Sequence, residues 1–314
     1  NDRAVPLRPD MADVRDRARG AFLGLAVGDA LGAPVEFMLP REIQAAHGVH
    51  REMTGGGWLR LRPGAVTDDT QMSLWLARAI VAGEGFDARR AATHLAAWLR
   101  LGPVDVGHTV RRGLRRFVVE GTLSGPPSPG DAGNGAAMRV LPVALATLAD
   151  HPALSRAAVE QGRITHHHPL SDAACVHVGE LVQLSCLGYG MPRLRRASDA
   201  LVRAHPEFTF DPYPGLSGGY VAETLATVLH FLHRTRGFEE CLVGVVNQGG
   251  DADTTGAIAG AIAGAWHGPD AIPRRWLRAL DSALREELEW LADRLVALSP
   301  LGRGEEPWPP VEGA

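Results

Sequence analysis

Apolar residues along this chain recur at three- and four-residue spacing in nearly every segment, and alternating patterns long enough for a strand are scarce. The pattern predicts an all-α fold, with helices over 12–31, 70–82, 87–100, 107–119, 137–149, 170–187, 193–204, 217–236, 239–247, 254–266 and 273–297. The longest irregular stretch is GTLSGPPSPGDAGNG at 121–135, where Pro and Gly exclude regular structure. It reads as a functional loop within one domain, because the polar motifs on either side make chemical sense only if they converge on one site. A single domain is expected over 11–303, between a flexible N-terminal arm at 1–10 and a C-terminal tail at 304–314.

Composition narrows the class. A hydrophobic content of 45% over 314 residues is ample for a substantial core. The formal net charge of −4 lacks the basic footprint of a nucleic-acid binder. No Lys is present, so all 32 Lys-plus-Arg positions are Arg. Cys175, Cys186 and Cys241 are odd in number and show no zinc-ligand spacing, which points to a reducing cytoplasm. The segment NDRAVPLRPD has no apolar core and is not a secretory signal. The longest apolar stretch, around 257–266, falls far short of the roughly 20 residues a membrane helix needs.

The chemistry concentrates at two helix starts. Thr67-Asp68-Asp69-Thr70 leads directly into the apolar segment 71–82. Alone, it reads most simply as a helix cap. The stretch 247–255, NQGGDADTT, leads in the same way into the apolar segment 256–266. Two such starts change the balance, because closely spaced carboxylates repel unless a cation or partner neutralises them. Carboxylates with Thr oxygens, and no His or Cys in either motif, select a hard ion such as Mg²⁺ or Mn²⁺ over zinc. Gly256, Gly260 and Gly264 form a stripe that lets a neighbouring helix approach closely, which would bring Asp251 and Asp253 beside Asp68 and Asp69. The run His166-His167-His168 lacks helical zinc spacing, and two of the three are expected to face solvent. Asp29 shares a helical face with Phe22 and Leu25, so it is either hydrogen-bonded or near a cation.

Five blocks then carry a resemblance: GAFLGLAVGDALGAPVEF at 20–37, TDDTQMSLWLARAI at 67–80, GNGAAMRVLPVAL at 133–145, ITHHHPLSDAA at 164–174 and NQGGDADTTGAIAGA at 247–261. In order and content they resemble the ADP-ribosylglycohydrolase family. MTGGGWLRL at 53–61, PVDVGHTVRRG at 103–113 and GDAGNGAAMR at 130–139 are similar to its bacterial branch acting on dinitrogenase reductase. The resemblance implies an all-α bundle around two divalent cations, Mn²⁺ or Mg²⁺, held by Thr67, Asp68, Asp69, Asp251, Asp253 and Thr254. It implies hydrolysis of ADP-ribose from an arginine of dinitrogenase reductase, with Asp105 and Glu36 as the carboxylates assisting proton transfer.

The resemblance further implies a substrate-binding set of Asn134, Gly135, Met138, His166 and Tyr220, the tyrosine stacking on adenine. Read without it, Asp105 is a helix cap, Glu36 a surface loop residue, Gly133–Met138 a turn and Tyr220 a core aromatic. His108 departs from the branch pattern, which has a smaller amide there. The branch also implies regulation by a PII signalling protein and reversible membrane association through such partners. Two other functions remain open at this point: hydrolysis of serine-linked or other ADP-ribosyl conjugates, and a catalytically silent ADP-ribose-binding regulator.

Overall fold

The computed structural model describes residues 9–305, and those residues form helices, loops and short 3₁₀ turns with no strand. The expected arm and tail therefore fall mostly outside the described residues, at 1–8 and 306–314. In chain order the α-helices are α1 (Met11–Gly32), α2 (Pro40–His47), α3 (Asp68–Ala82), α4 (Ala88–Arg100), α5 (His108–Glu120), α6 (Leu141–Ala146) and α7 (His151–Arg163). They continue with α8 (Pro169–Cys186), α9 (Met191–Ala204), α10 (Val221–Arg234), α11 (Phe238–Val246), α12 (Ala252–His267), α13 (Arg274–Ala279) and α14 (Ser282–Leu298). No single one of them is long and apolar enough to cross a membrane.

The centre of the molecule is the antiparallel pair of α1 and α12. Gly20, Gly24, Gly28 and Gly32 of α1 face Gly264, Gly260, Gly256 and Ala252 of α12, and a Cβ on any of these glycines would fall inside 3.0 Å of the opposite backbone. Only hydrogen in place of a side chain permits that approach. The glycine stripe of α12 thus meets a second stripe on α1. From Ala252 to Ala265, α12 is buried on every side, as befits a helix without a polar face. Phe22, Leu25, Ile258 and Ile262 fill the core around the seam. Because the pair is antiparallel, the start of α12 lies beside the last turns of α1, where Asp29 is found, with Glu36 just beyond the end of that helix.

Several elements differ from the periodicity reading, for local reasons. Segment 137–149 is a 3₁₀ turn over Ala137–Arg139 followed by the short α6, since Pro142 in the first turn cannot donate a backbone hydrogen bond. Segment 273–297 divides into α13 and α14, because Leu280 is extended and the Asp281 side chain accepts from the N–H of Leu284, starting a new helix. The helices α2 and α7 were not expected. α2 buries only Ile43, too little to make a pattern. α7 starts on an Asp150 cap to the N–H of Ala153.

Candidate metal centre and active site

The two acidic motifs meet at the end of the α1–α12 seam. Neither caps its own helix through its first residue: the side chains of Thr67 and Asp251 make no cap hydrogen bond. Instead Asp29, fully buried on α1, serves as the cap of α3 from outside. Its Oδ2 accepts from the N–H of Thr67 at 2.9 Å, the N–H of Thr70 at 3.1 Å and Thr70 Oγ1 at 2.6 Å. Its Oδ1 accepts from Thr67 Oγ1 at 2.7 Å. The hydrogen-bonding alternative for Asp29 is thus realised, and it frees Asp68 and Asp69 to face the cluster.

Seven carboxylates gather there. Oxygens of Asp29, Asp69 and Asp253 lie within 4.8 Å of one another, as do those of Glu36, Asp251 and Asp253, and those of Asp68, Asp105 and Asp253. Thr67 Oγ1 lies 3.1 Å from Asp69 Oδ2 and 3.2 Å from Asp253 Oδ2. None of the ion pairs among the described residues reaches any of the seven. Burial and mutual repulsion push Asp68, Asp69 and Asp253 well above the usual carboxylate range. Burial raises Glu36 to about 8, against the hydrogen bond from Trp58 Nε1 at 2.8 Å, and raises Asp29 to about 6. Asp69 Oδ1 and Asp253 Oδ1 are buried without any hydrogen-bond partner. Such oxygens demand a counter-charge, and an oxygen-only donor set suits a hard cation.

The chain places Glu36 and Asp251 through a glycine turn. Gly249 and Gly250 both have positive φ, at 66° and 60°, and a Cβ on either would collide with a carbonyl, of Met38 and Ser217 respectively. The close approach lets Phe37 N–H donate to Gly250 O at 2.6 Å and Gly250 N–H donate to Met38 O at 3.0 Å. Glu36 is 6% exposed, so the surface-loop reading of it fails. Asp105 is half-buried in the loop before α5, and α5 has no side-chain cap, so Asp105 is not a capping residue either.

A cavity of about 220 Å³ opens over these groups. Its acidic side includes Glu36, Asp68, Asp105, Asp251, Asp253 and Thr254, and its other side Gly133, Asn134, Gly135, Met138 and His166. Thr67 and Asp69 sit behind the acidic side, and His108 lines the rim. Tyr220 lies outside the lining, tied to it by a backbone bridge to Gly133, and at 42% exposed it is no core aromatic. A larger groove of about 990 Å³, lined by α7, α8 and α9, holds none of these residues. Chemistry, not size, locates the site.

The second side is built from neutral groups. Asn134 Nδ2 donates to Asp251 Oδ2 at 2.7 Å and Thr224 Oγ1 at 3.0 Å, orienting that carboxylate. His166 is buried, and burial with the nearby Arg139 and Arg112 lowers it to about 3, so its ring is neutral. Arg139 is a residue that periodicity does not single out. Completely buried, it donates to Gln161 Oε1, Gln161 O, Gly135 O and Thr165 Oγ1 at 2.8–3.1 Å. Thr165 Oγ1, already accepting from Arg139, lies 2.7 Å from His166 Nδ1 and can donate its proton there. With the Thr165 proton donated to Nδ1, the ring's own hydrogen would sit on Nε2, the atom a Cβ on Gly133 would meet at 3.4 Å. His167 and His168, expected in solvent, are half-buried: His167 bonds Gly125 O at 2.7 Å, and His168 Nδ1 caps α8 through the N–H of Leu170.

The ADP-ribosylglycohydrolase family model matches residues 10–304. The chain is 55% identical over 289 residues to an ADP-ribosyl-[dinitrogen reductase] glycohydrolase of Rhodospirillum rubrum, covering 92% of this chain and 98% of that one. It is 31% identical over 313 residues to an ADP-ribosylarginine hydrolase, Tri1, of Pseudomonas putida, covering 95% and 82%. A solved structure titled ADP-ribosylglycohydrolase-related protein complex superposes with a TM-score of 0.81 at 39% identity, covering 92% of this chain and 99% of that chain. An all-helical fold organised on two acidic helix starts, matched over nearly its whole length, therefore belongs to the ADP-ribosylglycohydrolase family.

Proposed function

We propose that this protein is a cation-dependent hydrolase that releases ADP-ribose from modified arginine side chains, with ADP-ribosylated dinitrogenase reductase as its substrate. The observation that carries the reading is the cluster of seven carboxylates, two with buried unpartnered oxygens, at the floor of a cavity. Similarity to hydrolases named for dinitrogen reductase and for ADP-ribosylarginine supplies the bond and the acceptor. Thr67, Asp68, Asp69, Asp251, Asp253 and Thr254 are proposed to hold two divalent cations, Mn²⁺ or Mg²⁺. When bound, such ions polarise oxygen and lower the pKa of water.

The chain's own groups supply the rest. Asn134 holds Asp251 in its orientation, and Asp29 holds the start of α3. Glu36 and Asp105 flank the cluster as the carboxylates able to move a proton at the departing guanidine or the attacking water. His166 is set to donate from Nε2, and the Gly133–Met138 turn to offer backbone N–H groups, to the diphosphate. Tyr220, beside that turn, offers an exposed ring to the adenine.

The deciding measurement is release of free ADP-ribose from an ADP-ribosylarginine protein, before and after chelation and after metal is restored. Release that stops with chelator and returns with Mn²⁺ or Mg²⁺ supports the reading. Full turnover in chelator, or a preference for serine-linked ADP-ribose, overturns it. The same reading places the enzyme in the cytoplasm with its substrate and a PII signalling protein as regulator, a pairing that co-purification would test.

A further inference from the structure

Eleven large apolar side chains are exposed among the described residues, and six of them line this cavity or are joined to its lining residues by hydrogen bonds or short stretches of chain. Phe37 lines the mouth at 65% exposure and packs its ring 5.5 Å from that of Trp58, which also bonds Glu36. Leu39 follows two residues later. Val104, 71% exposed, adjoins Asp105. Leu216, 56% exposed, precedes Ser217, whose carbonyl holds the N–H of Asp251, and Tyr220 is bridged to Gly133. Four separate loops that adjoin the cavity lining thus carry exposed apolar groups. Apart from the bond of Trp58 to Glu36, none takes part in the polar chemistry of the floor, and leaving them in water is unfavourable by about 25 cal/mol per Å² of apolar surface.

A nucleotide does not account for them. ADP-ribose is a polar dianion with a single aromatic base, and one base covers one ring. A protein carrier does account for them, because an arginine side chain spans only about 6–7 Å from Cα to its terminal nitrogens, judged from ordinary bond lengths. With the scissile bond at the carboxylates, the carrier's backbone must lie at the mouth, against these side chains. Resting on the proposed hydrolase function, we infer that the apolar rim is the docking surface for the folded protein substrate, gripping residues that flank the modified arginine.

Leu39, Val104 and Leu216 are exposed, lie outside the cavity lining and are not among the cluster's carboxylates, so they isolate the rim from the chemistry. The triple variant Leu39→Ser, Val104→Ser, Leu216→Ser should lose about tenfold or more in kcat/KM on ADP-ribosylated dinitrogenase reductase. On a small conjugate, ADP-ribosylarginine, it should stay within about twofold of the unaltered enzyme. Val119→Ser, a control 82% exposed near the far end of α5, should change neither. Equal losses on both substrates would make the rim a nucleotide subsite, and no loss on the protein would make it surface without a role; either overturns the inference. If the unaltered enzyme releases nothing from either substrate, the hydrolase reading itself fails, which is a different result from those two.

Discussion

The two sides of the cavity are built on opposite electrostatic principles. On the side made by the starts of α3 and α12, like charges are crowded together, and two buried oxygens have no partner. On the side made by the Gly133–Met138 turn and His166, the polar groups are neutral, and the buried charge, Arg139, is spread over four neutral acceptors. The first side is left with crowded negative charge, which the proposed cations would neutralise. The second carries no unmatched charge as folded. Substitutions on the two sides should therefore separate stability from activity in opposite ways.

The largest effect is expected on the acidic side. Asp253→Asn should reduce hydrolysis by about 10³-fold or more, because it removes a charge from the centre of all three carboxylate groups. In chelator the same variant should melt higher than the unaltered protein, since it relieves repulsion that no cation then offsets, by about 1 kcal/mol. Turnover assays and thermal melts with and without metal check both halves. A variant that melts lower in chelator would mean that Asp253 is a structural partner and not a frustrated charge.

Next is the seam that brings the two acidic starts together. Gly260→Ala would drive a Cβ into the backbone of Gly24, where no side chain can move aside. Destabilisation of about 3 kcal/mol or more is expected, a fall in Tm of roughly 6–12 °C for a domain of this size. Calorimetry at fixed metal concentration is the check. A normal Tm would show that the helices separate easily and that their contact does not set the spacing of the carboxylates.

What could be read in the sequence follows the same division. Asp68, Asp69, Asp251 and Asp253 stand out because runs of acids at two helix starts are unusual, and the stripe at Gly256, Gly260 and Gly264 announces close packing. The matching stripe on α1 is as regular, but its place opposite α12 is a tertiary fact. Asp29 is ambiguous for the same reason: its four donors come from residues about forty positions away. Arg139 was overlooked, although it is the one charge in an apolar run, because its acceptors are mostly backbone and neutral side-chain oxygens. The α7 pattern was present in Leu154, Ala157, Ala158 and Gln161, at helical spacing, yet two alanines and a glutamine carry little hydrophobic signal. The rim residues were invisible as a group, since four loops meet only in the fold.

On the neutral side the effects should be smaller and of another kind. Arg139→Gln would strip donors from Gly135 O, Gln161 O and Thr165 Oγ1, destabilising by about 2–3 kcal/mol. With Thr165 Oγ1 no longer held by a donor, its hydroxyl can turn to Gly162 O, 3.5 Å away, and His166 loses its fixed tautomer. Roughly a tenfold loss in kcat/KM is expected with unchanged metal affinity, the reverse of the Asp253→Asn pattern. The ¹⁵N shifts of the His166 ring should move from a single tautomer toward a mixture. Unchanged shifts would detach Arg139 from the orientation of His166 and leave it a purely structural residue.

The smallest effect, and the one that compares the two sides within one unaltered molecule, is the pH dependence of stability without metal. Glu36 titrates near 8 and Asp29 near 6 in the fold, both raised by burial above ordinary carboxyls near 4. A raised carboxyl means that the folded state holds its proton where the unfolded chain has released it, so stability falls as pH rises from about 4 to 8. His166 acts over the same range with a different sense of shift: lowered to about 3, it is neutral when folded and protonated when unfolded below its ordinary value near 6.5. Its contribution to stability therefore rises as pH increases from about 3 to 6.5 and is constant above that. The two sides oppose each other below about pH 6.5, and above it only the carboxylates still act. Because Glu36 and Asp29, with Asp68, Asp69 and Asp253 raised in the same sense, outnumber the single His166, metal-free Tm should decline from about pH 5 to 8. Saturating Mn²⁺ or Mg²⁺ should abolish that decline, because the cation binds the deprotonated cluster. A decline that persists unchanged with metal would place its origin outside the carboxylates.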